Sequence, residues 1–344
     1  MGTVIDVMNG EKESRLPYEV GALLYSPANN QTIADSVIDE RFGKRYSLAL
    51  CLEDAISDQA VESAEHIVTD TLNRIGEAKS LMNFFLPMIF VRVRRPEQIP
   101  KLWDQLGKDN KVLKGFIAPK FNLVSAEEYK KAILKVNQES EDKVYLMPIL
   151  ESEELVNPSI RPHFLNELKA EIDSMKEYIL NVRVGGNDLC RNFGVRRHMD
   201  ETIYDIRVVS DILIDIVATF SRDYVVSGAV WEYFDSPRGE WREGLRKELE
   251  LDLLNGFIGK TVIHPKQIDV VNQAMMVEAE DYFDAIKIQK LSANESVFVE
   301  KSTSGSRMNE YKTHIIWAEK MVKLAKIYGV RETCSKQKSK ITLL

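Results

Sequence analysis

Two stretches decide the fold: Val144-Tyr-Leu-Met-Pro-Ile-Leu-Glu151 and, further along, Ile179-Leu-Asn-Val-Arg-Val-Gly-Gly-Asn-Asp-Leu189. Each starts as an apolar run with no polar face, the pattern of a parallel strand covered by helices on the outside and a core on the inside. The first run stops on Glu151, and the second breaks into Gly185-Gly186-Asn187-Asp188. In a barrel of parallel strands the carboxyl ends of the strands carry the chemistry. Two carboxylates delivered from neighbouring strand ends concentrate negative charge, which is costly unless a cation lies between them. Glu151 and Asp188 are therefore expected to hold a hard divalent metal, with water or substrate oxygens completing its octahedron. On the residues alone the competing reading stays open: Glu151 capping the following helix and Asp188 closing a local loop hydrogen bond.

Outward from this stretch, strand-like and helix-like segments alternate. Strands are expected at 22–25, 46–52, 88–93, 115–118, 144–150, 179–184, 225–233 and 257–263. Helices are expected at 30–41, 58–79, 96–106, from Ser125 on, 163–176, 201–220, around Trp241 to Leu254, and 267–286. The second of these carries Val61, Ala64, Ile67, Val68, Leu72 and Ile75 at helical spacing. Glu127 and Glu128 are placed in the first turn of the helix from Ser125, and Pro96 in the first turn of the helix before it. Residues 185–189 and those following are read as a loop. Strict alternation of eight strands and eight helices is the count of a (β/α)8 TIM barrel, an α/β fold.

The barrel is assigned to residues 18–287, followed by a linker and a C-terminal helical extension at 288–344. The polar, Ser-rich stretch 289–306 reads as a linker or mobile flap. Residues 309–328 read as a helix with Ile315, Ile316, Ala318, Met321, Val322 and Ala325 along its apolar stripe, and 332–344 as a frayed end.

The composition excludes several classes. The chain has 344 residues and a net charge of −7, with a pI near 5.5, so it lacks the basic surface that non-specific nucleic-acid binding needs. Cys51, Cys190 and Cys334 are widely spaced with no CxxC pair, which argues against a disulfide framework or zinc ribbon and for a reducing cytoplasm. The polar start of the chain carries no apolar secretory core, and no run is long enough to span a bilayer.

Other residues at expected strand ends carry candidate chemistry. In Val91-Arg92-Val93-Arg94 the period of two puts both arginines on one face. If the valines pack under helices, Arg92 points into the barrel mouth and offers a bidentate fork to a substrate carboxylate. Arg94 is a weaker candidate for the same role. Glu53 and Asp54 end the second strand with opposite parity, so only one is expected to face inward, and their expected work is to hold Arg92 in place. Lys120 lines the mouth or is a snorkelling structural lysine. Gly185 and Gly186 let the chain turn tightly and bring backbone close to a ligand, and Gly186 and Asn187 are candidate substrate-binding residues. His264, beside Pro265, reads as a turn-fixing residue, and Trp231 and Tyr233 as core packing.

Six motifs occur in one order: Leu50-Cys-Leu-Glu-Asp-Ala-Ile56, Val91-Arg-Val93, Ala118-Pro-Lys120, Ile149-Leu-Glu-Ser152, Gly185-Gly-Asn-Asp-Leu189 and Gly259-Lys-Thr-Val-Ile-His-Pro-Lys-Gln-Ile268. Together they resemble the citrate lyase β-subunit-like family of the HpcH/HpaI-type aldolases. Gly21-Ala-Leu-Leu-Tyr-Ser-Pro27 and Cys51-Leu-Glu-Asp-Ala-Ile56 look closest to the barrel-type carbon–carbon bond lyases linked to tellurium-resistance clusters. The resemblance implies a (β/α)8 barrel with magnesium at the strand ends and a homo-oligomer, trimer or hexamer. It implies Glu151 and Asp188 as metal ligands, Arg92 as the residue gripping substrate oxygens, and Glu53 and Asp54 as the acidic pair beside it.

The resemblance also implies lyase or aldolase chemistry on a small 2-oxo or 3-hydroxy acid, through a metal-stabilised enolate, with Glu53 or Asp54 among the candidate bases. Gly21-Ala22, Pro27-Ala28 and Arg94 depart from members acting on coenzyme A thioesters. These departures weigh against a coenzyme A substrate and towards a more acidic or phosphorylated small molecule. The alternatives are a degenerate barrel that binds a metabolite or partner protein without turnover, and phosphoryl or phosphonate chemistry on a phosphoenolpyruvate-type substrate.

Overall fold

A computed structural model of the chain describes residues 14–291 and 298–332. Eight strands form one sheet: β1 (Ala22–Pro27), β2 (Ser47–Cys51), β3 (Met88–Arg92), β4 (Leu113–Ala118), β5 (Tyr145–Leu150), β6 (Val182–Val184), β7 (Val226–Ser227) and β8 (Lys260–Val262). They run in the order β7-β6-β5-β4-β3-β2-β1-β8, every pair parallel. The last gap closes through the bridge Gly228↔Lys260 and the backbone bond from Ile258 N to Val226 O at 2.8 Å. The sheet is therefore the TIM barrel expected from the alternation.

The period of two assigns the faces. Leu23, Ala49, Phe90, Ile117, Met147 and Ile149 fill the interior as one cluster. Leu48, Leu50, Val91, Phe116, Leu146 and Val262, on the opposite parity, are buried against the surrounding helices. Arg92 shares the parity of Phe90, and Arg183 pairs in register with Ile149 and Ser227, so both arginines are built into interior positions.

Helices α1 (Ile33–Ile38), α2 (Val61–Leu81), α3 (Gln98–Leu106), α4 (Leu123–Glu139), α5 (Arg161–Asp173), α6 (Gly186–Phe193), α7 (Arg207–Phe220), α8 (Glu240–Leu254) and α9 (Ile268–Met275) follow the strands. Helix α4 starts before the position expected: Asn122 caps it, accepting from Val124 N and Ser125 N, while the Ser125 side chain closes the capping box. Ser125 is thus the partner of the cap and not the cap, which moves Glu127 and Glu128 past the first turn.

Between β8 and α8 lies a buried ionic cluster. Lys260 Nζ meets Asp252 Oδ2 at 2.6 Å and Glu248 Oε1 at 2.9 Å, and Arg197 Nε lies 3.2 Å from Glu248 Oε2. Tyr204 donates to Asp252 at 2.7 Å, so the charges are paired and hydrogen-bonded, the condition for burying them.

The chain divides into two compact units, the first ending at Ala274 and the second beginning at Met275. The second unit contains β9 (Val277–Glu278), α10 (Ala279–Leu291), β10 (Val299–Lys301), β11 (Met308–Glu310), α11 (Tyr311–Tyr328) and β12 (Val330–Arg331). Its helices share the core of Ala285, Ile288 and Ala318, against which Ile315, Trp317, Met321 and Val322 pack. Ile316 lies off this stripe, 78% exposed.

Four further features differ from the sequence reading. The single helix expected at 267–286 is two helices, α9 and α10, interrupted at β9, which pairs with β12. The boundary expected at 287/288 falls within α10. The stretch 289–306 contains β10, which forms an antiparallel hairpin with β11, where Thr303 N and Arg307 Nε both donate to Asp284. Finally, Gly186-Asn187-Asp188 opens helix α6 where a loop was expected. The frayed end expected at 332–344 lies, apart from Glu332, outside the described residues, as does Cys334. Cys51 and Cys190 are buried free thiols. Among the described residues no helix is long and apolar enough to cross a membrane.

Candidate active site

A cavity of about 190 Å³ opens at the carboxyl ends of the strands, with Asp54, Arg92, Glu151, Gly185, Asn187 and Asp188 in its wall. Glu151 follows β5 directly and is 4% exposed. Asp188 stands in the first turn of α6, where the helix dipole favours an acid. It also lies 3.0 Å from Arg191, one turn on.

The two carboxylates interact directly. Burial pushes the Glu151 carboxyl up to about 8, and Asp188 adds to that rise while Arg92 opposes it. Glu151 Oε1 accepts from Lys120 N at 2.9 Å, a bond that fixes the carboxylate. Glu151 caps no helix, since Ser152 holds the N-cap position of the turn that follows. The competing reading of Asp188 as a local partner holds alongside its place in the cavity.

Arg92, 7% exposed, is held by three acids: Glu53 at 2.9 Å, Asp54 at 3.2 Å and Glu151 at 3.6 Å. Its guanidinium lies over the Tyr25 ring at 5.8 Å, and its Nε has no hydrogen-bond partner among the described residues. Burial works against the charge, but Tyr25, Cys51, Glu151 and Glu53 outweigh it and hold Arg92 well above its ordinary range. Arg92 therefore stays a cation.

Glu53 and Asp54 both reach Arg92, the work expected of the pair, and only Asp54 lines the cavity. They lie beyond the end of β2, where strand parity no longer sets direction. Burial raises the Glu53 carboxyl, with Asp54 adding to the rise while Arg92 and Lys120 pull down. Asp54 pays some burial but is lowered by its bond to Glu53 and by Arg92 and Lys120. Of the two, Asp54, which lines the cavity, is the carboxyl whose charged form its surroundings favour.

Lys120 sits at the mouth with its Nζ 2.6 Å from Glu53 and does not line the cavity wall. Arg94 is not brought to the site. Its guanidinium donates to the carbonyls of Leu52 and Ile56 and pairs with Asp58, fastening the loop after β2. Gly186 and Asn187 both line the cavity. His264 accepts from Lys266 N at 3.1 Å as the cap of the turn, as its Pro265 neighbour suggested. Trp231 is fully buried, and Tyr233 donates to Arg197 O at 3.0 Å.

Three polar cavity residues escape the sequence reading: Tyr25, Arg183 and Thr261. Arg183 is 1% exposed; burial pushes its guanidinium below the ordinary value, partly offset by Tyr25. The signal was present in Val182-Arg183-Val184, which repeats the alternation of Val91-Arg92-Val93.

The residues fit a divalent cation. Among the described residues no group of three or more His, Cys, Asp or Glu side chains gathers for a metal, so Glu151 and Asp188 would supply two ligands. That is the sparse protein ligation a magnesium ion accepts, keeping its remaining positions for water and substrate.

The model of a carbon–carbon bond lyase family of the TIM-barrel fold matches residues 14–330. The chain belongs to this family of lyases. The match covers both units. Among solved structures, a citrate lyase from Burkholderia xenovorans superposes with a TM-score of 0.67 at 12% identity, covering 92% of this chain and 94% of that one. The protein CitE from Mycobacterium tuberculosis in complex with magnesium, acetoacetate and coenzyme A has a TM-score of 0.57 at 18% identity, covering 89% and 98%. A citrate lyase beta subunit from M. tuberculosis complexed with oxaloacetate and magnesium has a TM-score of 0.51 at 19% identity, covering 76% and 98%. At these identities the likeness is one of fold. No curated protein matches the chain.

Proposed function

We propose that this family member is a magnesium-dependent lyase that breaks or forms a carbon–carbon bond next to the carbonyl of a small 2-oxo or 3-hydroxy acid. The observation that carries the reading is the convergence of Glu151 and Asp188 on one small cavity, with a buried carboxyl whose proton affinity the neighbouring acid raises. Two barrels of similar fold, CitE with magnesium, acetoacetate and coenzyme A and the beta subunit with magnesium and oxaloacetate, support the same choice of ion and a small oxo acid.

Glu151 and Asp188 would hold the ion, which when bound supplies Lewis acidity to the substrate's carbonyl oxygen. Arg92 stays charged at every working pH and stands in the cavity wall, so it orients the substrate carboxylate and counters negative charge that develops as the bond parts. Glu53 fixes Arg92 from the side away from the cavity. Asp54, ionised and in the cavity wall, is the acid–base group best placed to hold or release a proton. A cavity of about 190 Å³ is below the usual range for ligand sites, which restricts the reacting end to a few carbon atoms.

The test is cleavage of candidate 2-oxo and 3-hydroxy acids with and without magnesium, by the parent protein and by Glu151→Gln and Asp188→Asn. Activity that requires magnesium and is lost in both variants, with folding intact, supports the reading. Unchanged activity in both variants sinks it.

A further inference from the structure

Arg183 is the cavity's second buried cation, and the reaction as proposed above makes no use of it. It stands at an interior position of β6, between Ile149 of β5 and Ser227 of β7, and forms part of the cavity wall. Its Nη2 donates to Thr261 Oγ1 at 2.7 Å and its Nη1 to Asn181 Oδ1 at 3.4 Å. Both partners are neutral, and Nε has no partner among the described residues. The remaining influence on its charge is Tyr25. Arg92, three strands away on β3, has three carboxylates; Arg183 has none within ion-pair distance among the described residues.

An isolated charge in a barrel core is strongly disfavoured, and such charges occur where a counter-ion arrives. A structural arginine would be expected to have a carboxylate, as Arg197 has in Glu248. A guanidinium fork is suited to a planar carboxylate. The extra positive charge that the sequence placed at Arg94 is thus supplied at Arg183, which lines the cavity where Arg94 does not.

We propose that Arg183 binds a second carboxylate at the deep end of the substrate, so that the cavity selects small diacids over monoacids. The inference rests on the function proposed above, in which Arg92 and the metal ligands take the 2-oxo acid end. It makes Arg183 the residue that reads the length and charge of the substrate, while Asn181 and Thr261 set the plane of its guanidinium. A monoacid would leave Arg183 unpaired in the bound state, and its binding would be weaker by the lost charge-assisted bond.

Oxaloacetate and pyruvate differ by one carboxylate, which makes them the probes. Binding of each is measured by calorimetry in magnesium, with the full chain, Arg183→Gln and Arg183→Lys. The expected result is that the parent protein favours oxaloacetate by about 10- to 100-fold. Arg183→Gln should reduce that ratio to within about threefold, because oxaloacetate loses far more affinity than pyruvate. Arg183→Lys, which keeps the charge without the fork, should fall between, and decides the matter in the same way if Arg183→Gln does not fold. A ratio that survives the substitution, or equal weakening of both probes, overturns the role of Arg183. Magnesium-dependent pyruvate binding with no diacid preference overturns this inference alone. Absence of magnesium-dependent pyruvate binding in the parent protein overturns the function on which it rests, and the inference with it.

Discussion

A Cβ on Gly185 would stand 1.7 Å from Oε2 of Glu151 and 2.5 Å from its Cβ. The carboxylate of Glu151 occupies the space that a side chain at residue 185 would fill. Gly185 has an ordinary negative φ of −96°, so glycine is required here by close approach and not by backbone conformation. The strand end of β6 is therefore shaped to admit the side chain delivered by β5.

Gly185→Ala should displace Glu151 as a whole, because the clash extends to its Cβ, which moves only with the backbone. The expected outcome is a loss of about 100-fold in kcat/KM, the effect of misplacing a catalytic group by about an ångström, together with weakened magnesium binding. Steady-state kinetics and a magnesium titration check it. A variant with parental values for both would mean that Glu151 does not work from this position.

Magnesium affinity should depend on pH through Glu151. Its carboxyl is raised from an ordinary value of 4.5 to about 8, burial being the first cause. The folded protein therefore binds this proton more tightly than the unfolded chain. Without a cation, the contribution is fully present below pH 4.5 and is lost as the pH rises through about 8. A cation competes with the proton, so magnesium should bind more tightly as the pH rises from about 6 to about 8.5. Thermal-shift titrations across that range test this, and a flat affinity would contradict it.

Arg92 and Arg94 should respond differently to the same change. Arg92→Lys removes the planar fork from the cavity and should lower kcat/KM by about 10²–10³-fold. Arg94→Lys should alter kcat/KM by less than about tenfold and act on stability, since Arg94 fastens the loop after β2. Equal effects on kcat/KM would place Arg94 in the reaction after all.

Lys260→Met should lower stability by about 3–5 kcal/mol, because it leaves Glu248 and Asp252 buried without their shared cation. Denaturant unfolding measures the loss. Magnesium binding by the fraction that remains folded should be unchanged, since the cluster lies between β8 and α8 and outside the cavity wall. A loss below about 1 kcal/mol would show that the cluster relaxes without its lysine.

The barrel was legible because its strands advertise themselves: Leu48, Val91, Phe116 and Leu146 are apolar on the helix-facing parity, and Ala49, Phe90, Ile117 and Met147 on the inner one. The acids at strand ends were legible for the same reason, as each interrupts such a run. What single-residue reading missed depends on contacts distant in sequence. Arg94 turns to the carbonyls of the loop after β2. Arg183 resembled an ordinary strand residue until Thr261, from the far side of the barrel closure, was placed beside it. The division of the final helix by β9 was equally hidden, because its partner β12 lies beyond α11.

The central claim is that Glu151 and Asp188 share one divalent cation. Anomalous diffraction from crystals soaked with manganese, in place of magnesium, tests it most directly. The account predicts one strong peak in the cavity within about 2.0–2.3 Å of an oxygen from each carboxylate, and its loss in Asp188→Asn. An ion bound elsewhere, or a cavity whose two carboxylates do not reach a common site, would contradict it.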